Sequence, residues 1–562
     1  MNTIYNSIKY GIASGVLCLG LISINSCSSR ENDTPKEDIN GTVLNVKITG
    51  ITDNIAVQAS AVASNKIVNG SSEGQFIAEN RILNLNGFDA QVSVEKSGPN
   101  GLNNSAVASS AKITGMATAS PMTSGIKYRL MIYNSADINH TSPVANVDAT
   151  SGTDPAIKID AGKTYNWYAF STNETTLPAT TNGVVAKSDL KNKDVLIANG
   201  SLSAQYGNNY LNIVFNHNTA RVNISVDSRG MFGTMNANPV KNLNVNLLKY
   251  GDLNVFTGLY SNTTAYASND VTPVSNGNNT LKTYTYYTVD NTTVVSAKGL
   301  NLQVNATGIV KKDTYGGSDT TVTIPDNTNI PFNNNAFTLA YNNAYNLNVR
   351  LIESGVKVGG ITWARSNLPW KIDPVLGTRI FDPNPRRAYY VGTIYPQDYG
   401  YYHWGGNAGG DVCNGVFPTG VWRMPTIKEL KDTFIGRAYS RIPFYYSTPA
   451  STLETANGVA GYEYDLDPGS VINTAYPELA QKLFFPIAGE FYQPYFSKHA
   501  FFIKQTDGPI NDLELNIWAG DLTNVLRWTS QYNGNGVMTL NSVNALASPS
   551  SYFRTTMRCV RA

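Results

Sequence analysis

The chain has 562 residues, of which only 15% are charged, and a formal net charge of +2. So weak a charge excludes a protein that holds nucleic acid on a basic surface. The length indicates about three domains, because one hydrophobic core rarely grows so large. Asn, Ser, Thr, Gly and Tyr are abundant, which is typical of exposed β-sheets and loops in an extracellular setting.

The first 27 residues are predicted to be a targeting segment rather than structure. Lys9 supplies a positive start, and the apolar stretch 11–24 is too short to span a membrane. The sequence Ser26-Cys27 after this stretch resembles a lipoprotein signal, in which Cys27 becomes the lipidated mature N-terminus. Ordinary secretion with cleavage near Ser26 is the alternative. Residues 28–41 are polar and unpatterned, which predicts a flexible tether.

A first β domain is predicted for residues 42–204. Alternating apolar and polar residues begin with a strand at 42–50, and the Ala/Ser/Asn-rich stretch 53–80 indicates a long exposed loop. Further strands with Gly, Ser, Asn and Pro turns between them favour an antiparallel sandwich over alternating strand–helix units; they are predicted at 88–95, 126–133, 164–171 and within 185–204.

A second β domain is predicted for residues 205–355. It opens with the segment 211–226, which contains two alternating strands around a short polar turn. The segment 344–351 is predicted to be its closing strand. Helix signals are scarce throughout both domains.

The composition changes after residue 356, which predicts a separate domain over 356–562. Six of the seven tryptophans lie there, as do the only two cysteines that follow Cys27. Thr426 is a good helix N-cap, and Glu429 three residues later completes a capping box. A second helix is expected around 477–483, where a proline stands at an early position.

This last domain resembles the C-type-lectin-like fold that is common in Bacteroidetes surface proteins. The resemblance is carried by separated pieces that occur in the family's order: Ile361–Ala364, Asn367–Leu368, Tyr401–Trp404, Trp422–Thr426 with Glu429–Leu430, Phe485–Gly489, Trp528–Ser530 and Arg558–Val560. In that family the cysteine before the Trp-Arg-x-Pro-Thr piece and the terminal cysteine are bridged, which implies a Cys413–Cys559 disulfide. Two buried free thiols are the alternative.

The first 350 residues resemble the fimbrillin family of Bacteroidales pilus subunits. The features are the lipoprotein start, two tandem transthyretin-like β-sandwiches and the segment Val214–His217 near the opening of the second. The resemblance implies that a lipidated precursor reaches the cell surface and that a protease then removes the first strand. A strand from another subunit fills the vacated groove, which is strand addition to an open sheet.

Applied to this sequence, the resemblance makes the strand at 42–50 the one removed. A trypsin-like protease would cut in the following segment, at Arg81 or alternatively at Lys66. A stalk subunit must also donate a strand, whereas this sequence ends in a domain that Cys559 would close. We therefore expect a minor subunit at the fimbrial tip, made as an outer-membrane lipoprotein, that adheres to a glycan or protein through its last domain. A glycan-binding outer-membrane lipoprotein that never polymerises is the alternative.

Aromatic residues of the last domain are the candidate ligand contacts, because Tyr and Trp offer an apolar face and a polar edge. The candidates are Tyr399, Tyr401, Tyr402, Trp404, Tyr492 and Tyr495. A calcium site would need a carboxylate-rich loop, for which Asp398, Asp411, Glu463, Asp465, Asp467 and Asp521 are the acidic candidates. The sugar-binding triplets of the lectin family are missing, so no metal and no cofactor is expected.

An enzyme is not expected. The four histidines, His140, His217, His403 and His499, do not cluster in the sequence, so neither a zinc site nor a His-based triad is indicated. A related fold houses an oxidase that needs reactive cysteines, but here the only pair is assigned to the disulfide. A surface hydrolase is a third and weaker hypothesis.

Overall fold

The computed structural model describes most of the chain between residue 41 and residue 562. The described ranges are 41–52, 78–85, 87–97, 119–153, 155–243, 247–267, 270–313, 318–369, 372–385, 402–403, 411–435, 437, 440–442, 461–486, 491–492, 511–518, 524–532, 538–547, 553–555 and 557–562. The proposed signal segment with Cys27, the tether up to residue 40, and Lys66 lie outside them. In the described part of the chain, no helix is long and apolar enough to cross a membrane.

The chain is mostly β, as predicted. The strands up to residue 230 and one helix are β1 (Thr42–Thr52), β2 (Glu79–Asn84), β3 (Asp89–Ser97), β4 (Lys127–Asn134), β5 (Pro143–Thr150), β6 (Ala156–Ile159), β7 (Thr164–Ser171), β8 (Val184–Val185), α1 (Lys187–Leu190), β9 (Leu196–Ser203), β10 (Asn208–His217) and β11 (Ala220–Gly230). The strands that follow, up to residue 352, are β12 (Thr234–Met235), β13 (Val240–Leu243), β14 (Lys249–Asn254), β15 (Leu259–Ala265), β16 (Val274–Ser275), β17 (Leu281–Thr288), β18 (Val294–Val295), β19 (Asn301–Val304), β20 (Thr307–Lys311), β21 (Thr320–Ile324), β22 (Asn329–Pro331), β23 (Phe337–Thr338) and β24 (Ala344–Ile352).

The remaining strands are short until the last hairpins. They and the second helix are β25 (Val356–Val358), β26 (Ile361–Trp363), β27 (Ile372–Asp373), β28 (Thr378–Arg379), β29 (Tyr402–His403), β30 (Trp422–Arg423), α2 (Ile427–Phe434), β31 (Ser440–Ile442), β32 (Gly461–Tyr464), β33 (Leu483–Pro486), β34 (Phe491–Tyr492), β35 (Asn511–Trp518), β36 (Asn524–Tyr532), β37 (Met538–Ala547), β38 (Phe553–Thr555) and β39 (Val560–Arg561). The 3₁₀ turns Val412–Gly415 and Glu478–Ala480 also lie in this part of the described chain.

The first sheet has seven strands in the order β5-β4-β7-β9-β10-β1-β6. Its inner face is a core of aliphatic and aromatic residues that includes Leu44, Val46, Tyr128, Ile213 and Phe215. The alternation of buried and exposed positions along β10 is the period-two pattern that the sequence predicted. On the other face, the small sheet β8-β14-β15 supplies Leu253 to a second core, and Val255, directly after β14, packs in the same core.

The second sheet has six strands in the order β16-β17-β11-β24-β3-β2. Strand β24 pairs parallel with β11 and antiparallel with β3, and the core beneath holds residues such as Val92, Ile224 and Val349. The hairpin β2–β3 thus belongs to this sheet, although it precedes most strands of the first sheet along the chain.

Two strands differ from the domain boundaries that the sequence predicted. Strand β10 was expected after the boundary at residue 205 but pairs with β1 and β9 in the first sheet. The segment 88–95 was expected in the first sandwich but pairs with β24 in the second sheet. An alternating pattern shows that one face of a strand is buried, but it does not say which strand lies beside it.

After residue 355 the chain forms a four-stranded sheet, β25-β26-β39-β30, with α2 beside it. The predicted capping box is present: Thr426 Oγ1 accepts from the Glu429 backbone N–H at 3.1 Å, and the Thr426 backbone N–H donates to Glu429 at 2.8 Å. The helix expected at 477–483 is wrong. Only one 3₁₀ turn forms there, because the chain continues directly into β33.

Candidate functional site

Strand β1 is built into the first sheet rather than lying against it. It pairs parallel with β10 from Val43 to Thr52 and antiparallel with β6 from Thr42 to Asn45. Side chains add to the ladder, because Thr49 Oγ1 donates to the Ile213 carbonyl at 3.0 Å. Removal of β1 would therefore leave unpaired backbone groups on two strands.

The inward side chains of β1 belong to the core of the first domain. Leu44 and Val46 are buried, and Ile51 lies against the same cluster. At Gly50 the backbone φ is 153°, and a Cβ would lie 2.6 Å from the carbonyl oxygen of Ser120. Only glycine permits so close an approach. The vacated space would be a strand-shaped apolar trough with one tight end.

Arg81, the predicted processing residue, lies within β2 and is anchored by its side chain. Its guanidinium donates to Glu79 Oε2 and to the Pro331 carbonyl, both at 2.6 Å, and to the Phe332 carbonyl at 3.1 Å. Glu79 in turn accepts from the backbone N–H of Asn334 at 2.7 Å. Only 17% of the Arg81 side chain is exposed. Arg81 and Glu79 together fasten the edge strand β2 to the segment after β22.

The Cys413–Cys559 disulfide implied by the lectin-like resemblance is present. The two Cα atoms are 5.8 Å apart, and both residues are fully buried. Asp411 caps the 3₁₀ turn that carries Cys413, accepting from its backbone N–H at 2.9 Å, and also accepts from the Met424 backbone N–H. The bridge therefore joins the turn before β30 to the residue before β39.

The neighbouring residues form a rigid frame around this bridge. Trp363 and Trp422 are fully buried. Arg558 is also buried, and it donates to the Ala364 carbonyl at 3.1 Å and to the Phe484 carbonyl at 2.7 Å. The stretch 412–430 is thus structural, with no reactive thiol.

Glu429 carries a second bond in this frame. Arg423 Nη1 donates to Glu429 Oε2 at 2.8 Å, and this hydrogen bond, more than any other contact, holds the pKa of Glu429 at about 2, below its ordinary value of 4.5. Because the pKa is lower in the folded chain, the ionised carboxylate of Glu429 stabilises the fold. This contribution to stability is complete above pH 4.5 and is lost as the pH falls toward 2.

We expect a Glu429→Gln variant to lose less stability than the wild type between pH 4.5 and pH 2. The measurement is the urea midpoint followed by tryptophan fluorescence across that pH range. Lys428→Gln is a control on the same helix, because the exposed Lys428–Asp432 pair should contribute little. Equal pH slopes for the wild type and Glu429→Gln would contradict the assignment.

Of the six predicted ligand residues, Tyr402 and Tyr492 lie in the described part of the chain. Strands β29 and β34 flank β38, and the register sets Tyr402 opposite Thr555 and Tyr492 opposite Phe553. The two tyrosines are therefore brought to one small sheet, two positions apart along β38. The other four, Tyr399, Tyr401, Trp404 and Tyr495, lie outside the described residues.

Three of the four acidic candidates for calcium in the described part of the chain have other partners, Asp411 among them. Asp467 accepts from the backbone N–H groups of Gly359 and Gly360, each at 2.7 Å, and Glu463 pairs with Lys482 at 2.9 Å. Asp465 is exposed. Asp398 and Asp521 lie outside the described residues. Across the described ranges, no group of three or more His, Cys, Asp and Glu side chains has a metal-binding arrangement.

The sequence did not indicate the charged joint between the second sheet and the last domain. Arg561 on β39 forms an ion pair with Asp89 on β3 and donates to the Glu353 carbonyl at 2.9 Å. Lys311 pairs with Glu353 at 2.6 Å, and both side chains are almost wholly buried. Arg365 donates to the Ser354 carbonyl at 2.6 Å. No local sequence pattern marks ion pairs between residues so far apart.

The joint also shares apolar contacts. Phe232 and Ile352 pack in the core of the last domain, and Tyr476 and Ala480 pack in the core under the second sheet. The guanidinium of Arg365 lies 3.9 Å from the ring centre of Tyr476. The last domain is therefore continuous with the second sheet and is not a separate module on a linker.

Comparison with known proteins gives one family match. Residues 103–363, somewhat less than half of the chain, match the family described as fimbrillin-like. No curated protein sequence matches the chain.

Several solved structures are similar to parts of the chain. A candidate cell adhesion protein from Bacteroides fragilis has a TM-score of 0.26 and 12% identity, over 44% of this chain and 90% of that one. A fimbrial anchor protein from Porphyromonas gingivalis has a TM-score of 0.21 and 11% identity, over 35% of this chain and 74% of that one. A fimbrial assembly protein from Parabacteroides distasonis has a TM-score of 0.21 and 11% identity, over 40% of this chain and 82% of that one.

Proposed function

We propose that this chain, whose residues 103–363 match the fimbrillin-like family, is a subunit of cell-surface fimbriae that is assembled by strand exchange. The observation that carries the proposal is the position of β1, which is paired on both sides and contributes Leu44 and Val46 to the core. A strand supplied by another subunit would restore both the backbone pairing and the apolar burial.

Removal of β1 requires a cut between β1 and β2, and the contacts of Arg81 oppose a cut at that residue. A protease binds its substrate as an accessible extended segment, whereas Arg81 lies in a paired strand with its guanidinium bound. Lys66 is the only lysine or arginine in the segment 53–80. We therefore favour Lys66, the alternative residue, as the processing site.

The subunit is proposed to sit at the fimbrial tip. Strand β39 pairs with both β26 and β30, and Cys559 beside it is in the disulfide. Residues up to Ala562 are thus held inside the last domain and are not free to fill the groove of another subunit. The chain can accept a strand but cannot donate this one.

Adhesion is assigned to the last domain, which we propose to be C-type-lectin-like. The disulfide, the two core tryptophans and the capped helix α2 support that resemblance. The partner is a glycan or a protein on a host or bacterial surface. Because the domain shares its cores with the second sheet, binding to a glycan array should be measured with the full chain. Binding that survives loss of Tyr402 and Tyr492 together would place the ligand elsewhere.

A pair of variants tests the function and the processing site together. We expect Lys66→Gln to remain a membrane-bound precursor that keeps β1, because the protease loses its basic residue. Arg81→Gln should still be processed and should co-purify with fimbriae. Mass spectrometry of the mature N-terminus and immunogold labelling of isolated fimbriae are the measurements.

The outcomes separate the alternatives. Processing lost in Arg81→Gln but kept in Lys66→Gln would return the cut to Arg81. A mature wild-type protein that begins at a lipidated Cys27 and is absent from fimbriae would identify a static surface lipoprotein instead. Label along the whole fibre would exclude the tip position.

A further inference from the structure

One end of the first sheet gathers three turns beside the start of β1. Strands β4 and β9 finish at this end, whereas β1, β5, β7 and β10 begin there, as their registers show. The turns are 135–142 between β4 and β5, 160–163 between β6 and β7, and 204–207 between β9 and β10. We call this surface the β1 end.

The β1 end carries large apolar side chains that are open to solvent. Ile138 is 79% exposed, Tyr206 88% and Tyr210 70%. Soluble proteins expose single apolar residues routinely, but Ile138 and Tyr206 on two turns and Tyr210 near the start of β10, all at one end of the sheet, indicate a contact surface. A tyrosine offers an apolar ring and a polar tip, which suits a boundary between water and an apolar phase.

The turns that present these residues are held in place by hydrogen bonds. Asn209 Nδ2 donates to the Gln205 carbonyl at 2.8 Å, which closes the turn that carries Tyr206. Asp137 accepts from the backbone N–H of Ser142 at 2.8 Å, which closes the turn that carries Ile138. The exposed side chains therefore stand on ordered turns.

Charge at this end is partly compensated locally. Lys163, in the turn between β6 and β7, pairs with Asp160 at 2.8 Å. Asp137 is occupied by the backbone of its own turn. If an apolar surface covered this end, Lys163 and Asp160 would still neutralise each other.

The length of the tether limits where this end can be. Fourteen residues, 28–41, separate Cys27 from the first residue of β1. A flexible chain of that length has a root-mean-square span of roughly 20 Å, and it cannot exceed about 50 Å when fully extended. A lipid on Cys27 would therefore keep the β1 end within about 50 Å of the bilayer, and at roughly 20 Å for a flexible tether.

We propose that the β1 end of the lipid-anchored precursor rests on the membrane surface, with Ile138 and Tyr206 in the interfacial layer. The inference rests on the proposed lipidation of Cys27. Tyrosine is enriched at this depth in membrane proteins, and a lipid chain binds more firmly when a second contact supports it. The contact would orient β1 before processing.

The experiment uses the full-length lipidated precursor in phosphatidylcholine–phosphatidylglycerol vesicles that contain doxyl-labelled lipid as a quencher. A bimane dye is attached in turn to Ile138→Cys, Tyr206→Cys and the control Thr153→Cys. Thr153 is exposed in the turn between β5 and β6, at the opposite end of the same sheet and about 25 Å away. The native cysteine pair is in a buried disulfide and does not compete for the dye.

We expect roughly twofold quenching at positions 138 and 206 and almost none at 153, because doxyl lipid quenches only at short range. Anchored protein with equal quenching at all three positions, or with none, would overturn the proposal. Shielding of position 138 only after strand exchange would assign this end to a neighbouring subunit and would also overturn it. Failure of the precursor to float with vesicles at all would instead refute lipidation and the precursor stage of the proposed function.

Discussion

Replacing both Cys413 and Cys559 with alanine should lower the free energy of unfolding of the last domain by roughly 4 kcal/mol. The bridged residues are 146 positions apart, so the disulfide removes a large loop-closure entropy from the unfolded chain. It also fixes the residue before β39, the strand between β26 and β30. Loss of the bridge should therefore loosen the whole four-stranded sheet.

The measurement is urea unfolding followed by tryptophan fluorescence, because Trp363 and Trp422 are buried in this domain. Reduction of the wild-type protein should reproduce the shift of the double variant, and the reductant should not change the double variant further. An unchanged midpoint in both cases would show that the bridge contributes little beyond the packing around it.

Replacing Asp89 with alanine should cost about 3–5 kcal/mol, because Arg561 would be left buried without its counter-ion. Burial is the largest influence on both groups: it raises the pKa of Asp89 and lowers that of Arg561. The attraction between them opposes these shifts without cancelling them. The pair is therefore costly to break although it is not strongly stabilising as a whole.

A double variant separates these two effects. Asp89→Leu combined with Arg561→Met replaces the ion pair by apolar side chains. This double variant should lose far less stability than the sum of the losses in Asp89→Leu alone and Arg561→Met alone. Arg561 also lies 4.0 Å from the ring centre of Trp422, so the fluorescence of that residue reports on the joint. Additive losses in the double variant would mean that the two charges do not interact.

Local signals in the sequence predicted the local structure correctly. The helix at Ile427–Phe434 and its capping box depend on Thr426 and Glu429, three residues apart. The alternating pattern likewise predicted β1 and β10 as strands. Both features are decided by neighbours in the chain, so a single sequence is enough to find them.

Pairing between distant segments could not be predicted in the same way. The hairpin β2–β3 has the same alternating pattern as the strands of the first sheet, yet its partner is β24. The anchoring of Arg81 depends on carbonyl groups of Pro331 and Phe332, which no motif near residue 81 announces. The sequence therefore identified Arg81 as a basic residue that follows the first strand, but it did not show that the Arg81 side chain is bound.

If the chain is exported from its N-terminus, as its proposed signal segment implies, the partnership of β3 with β24 also sets an order of events. Asn346 and Ser97 are hydrogen-bonded across 249 positions, so the edge of β3 that faces away from β2 must wait for most of the chain before it can pair with β24. Long-range pairing of this kind is slow and leaves strand edges open meanwhile. During such export, the second sheet could close only after residue 352 had crossed the membrane. The newly exported chain should therefore depend on a periplasmic chaperone to shield β2 and β3 until β24 arrives, and depletion of such chaperones should lower its surface level.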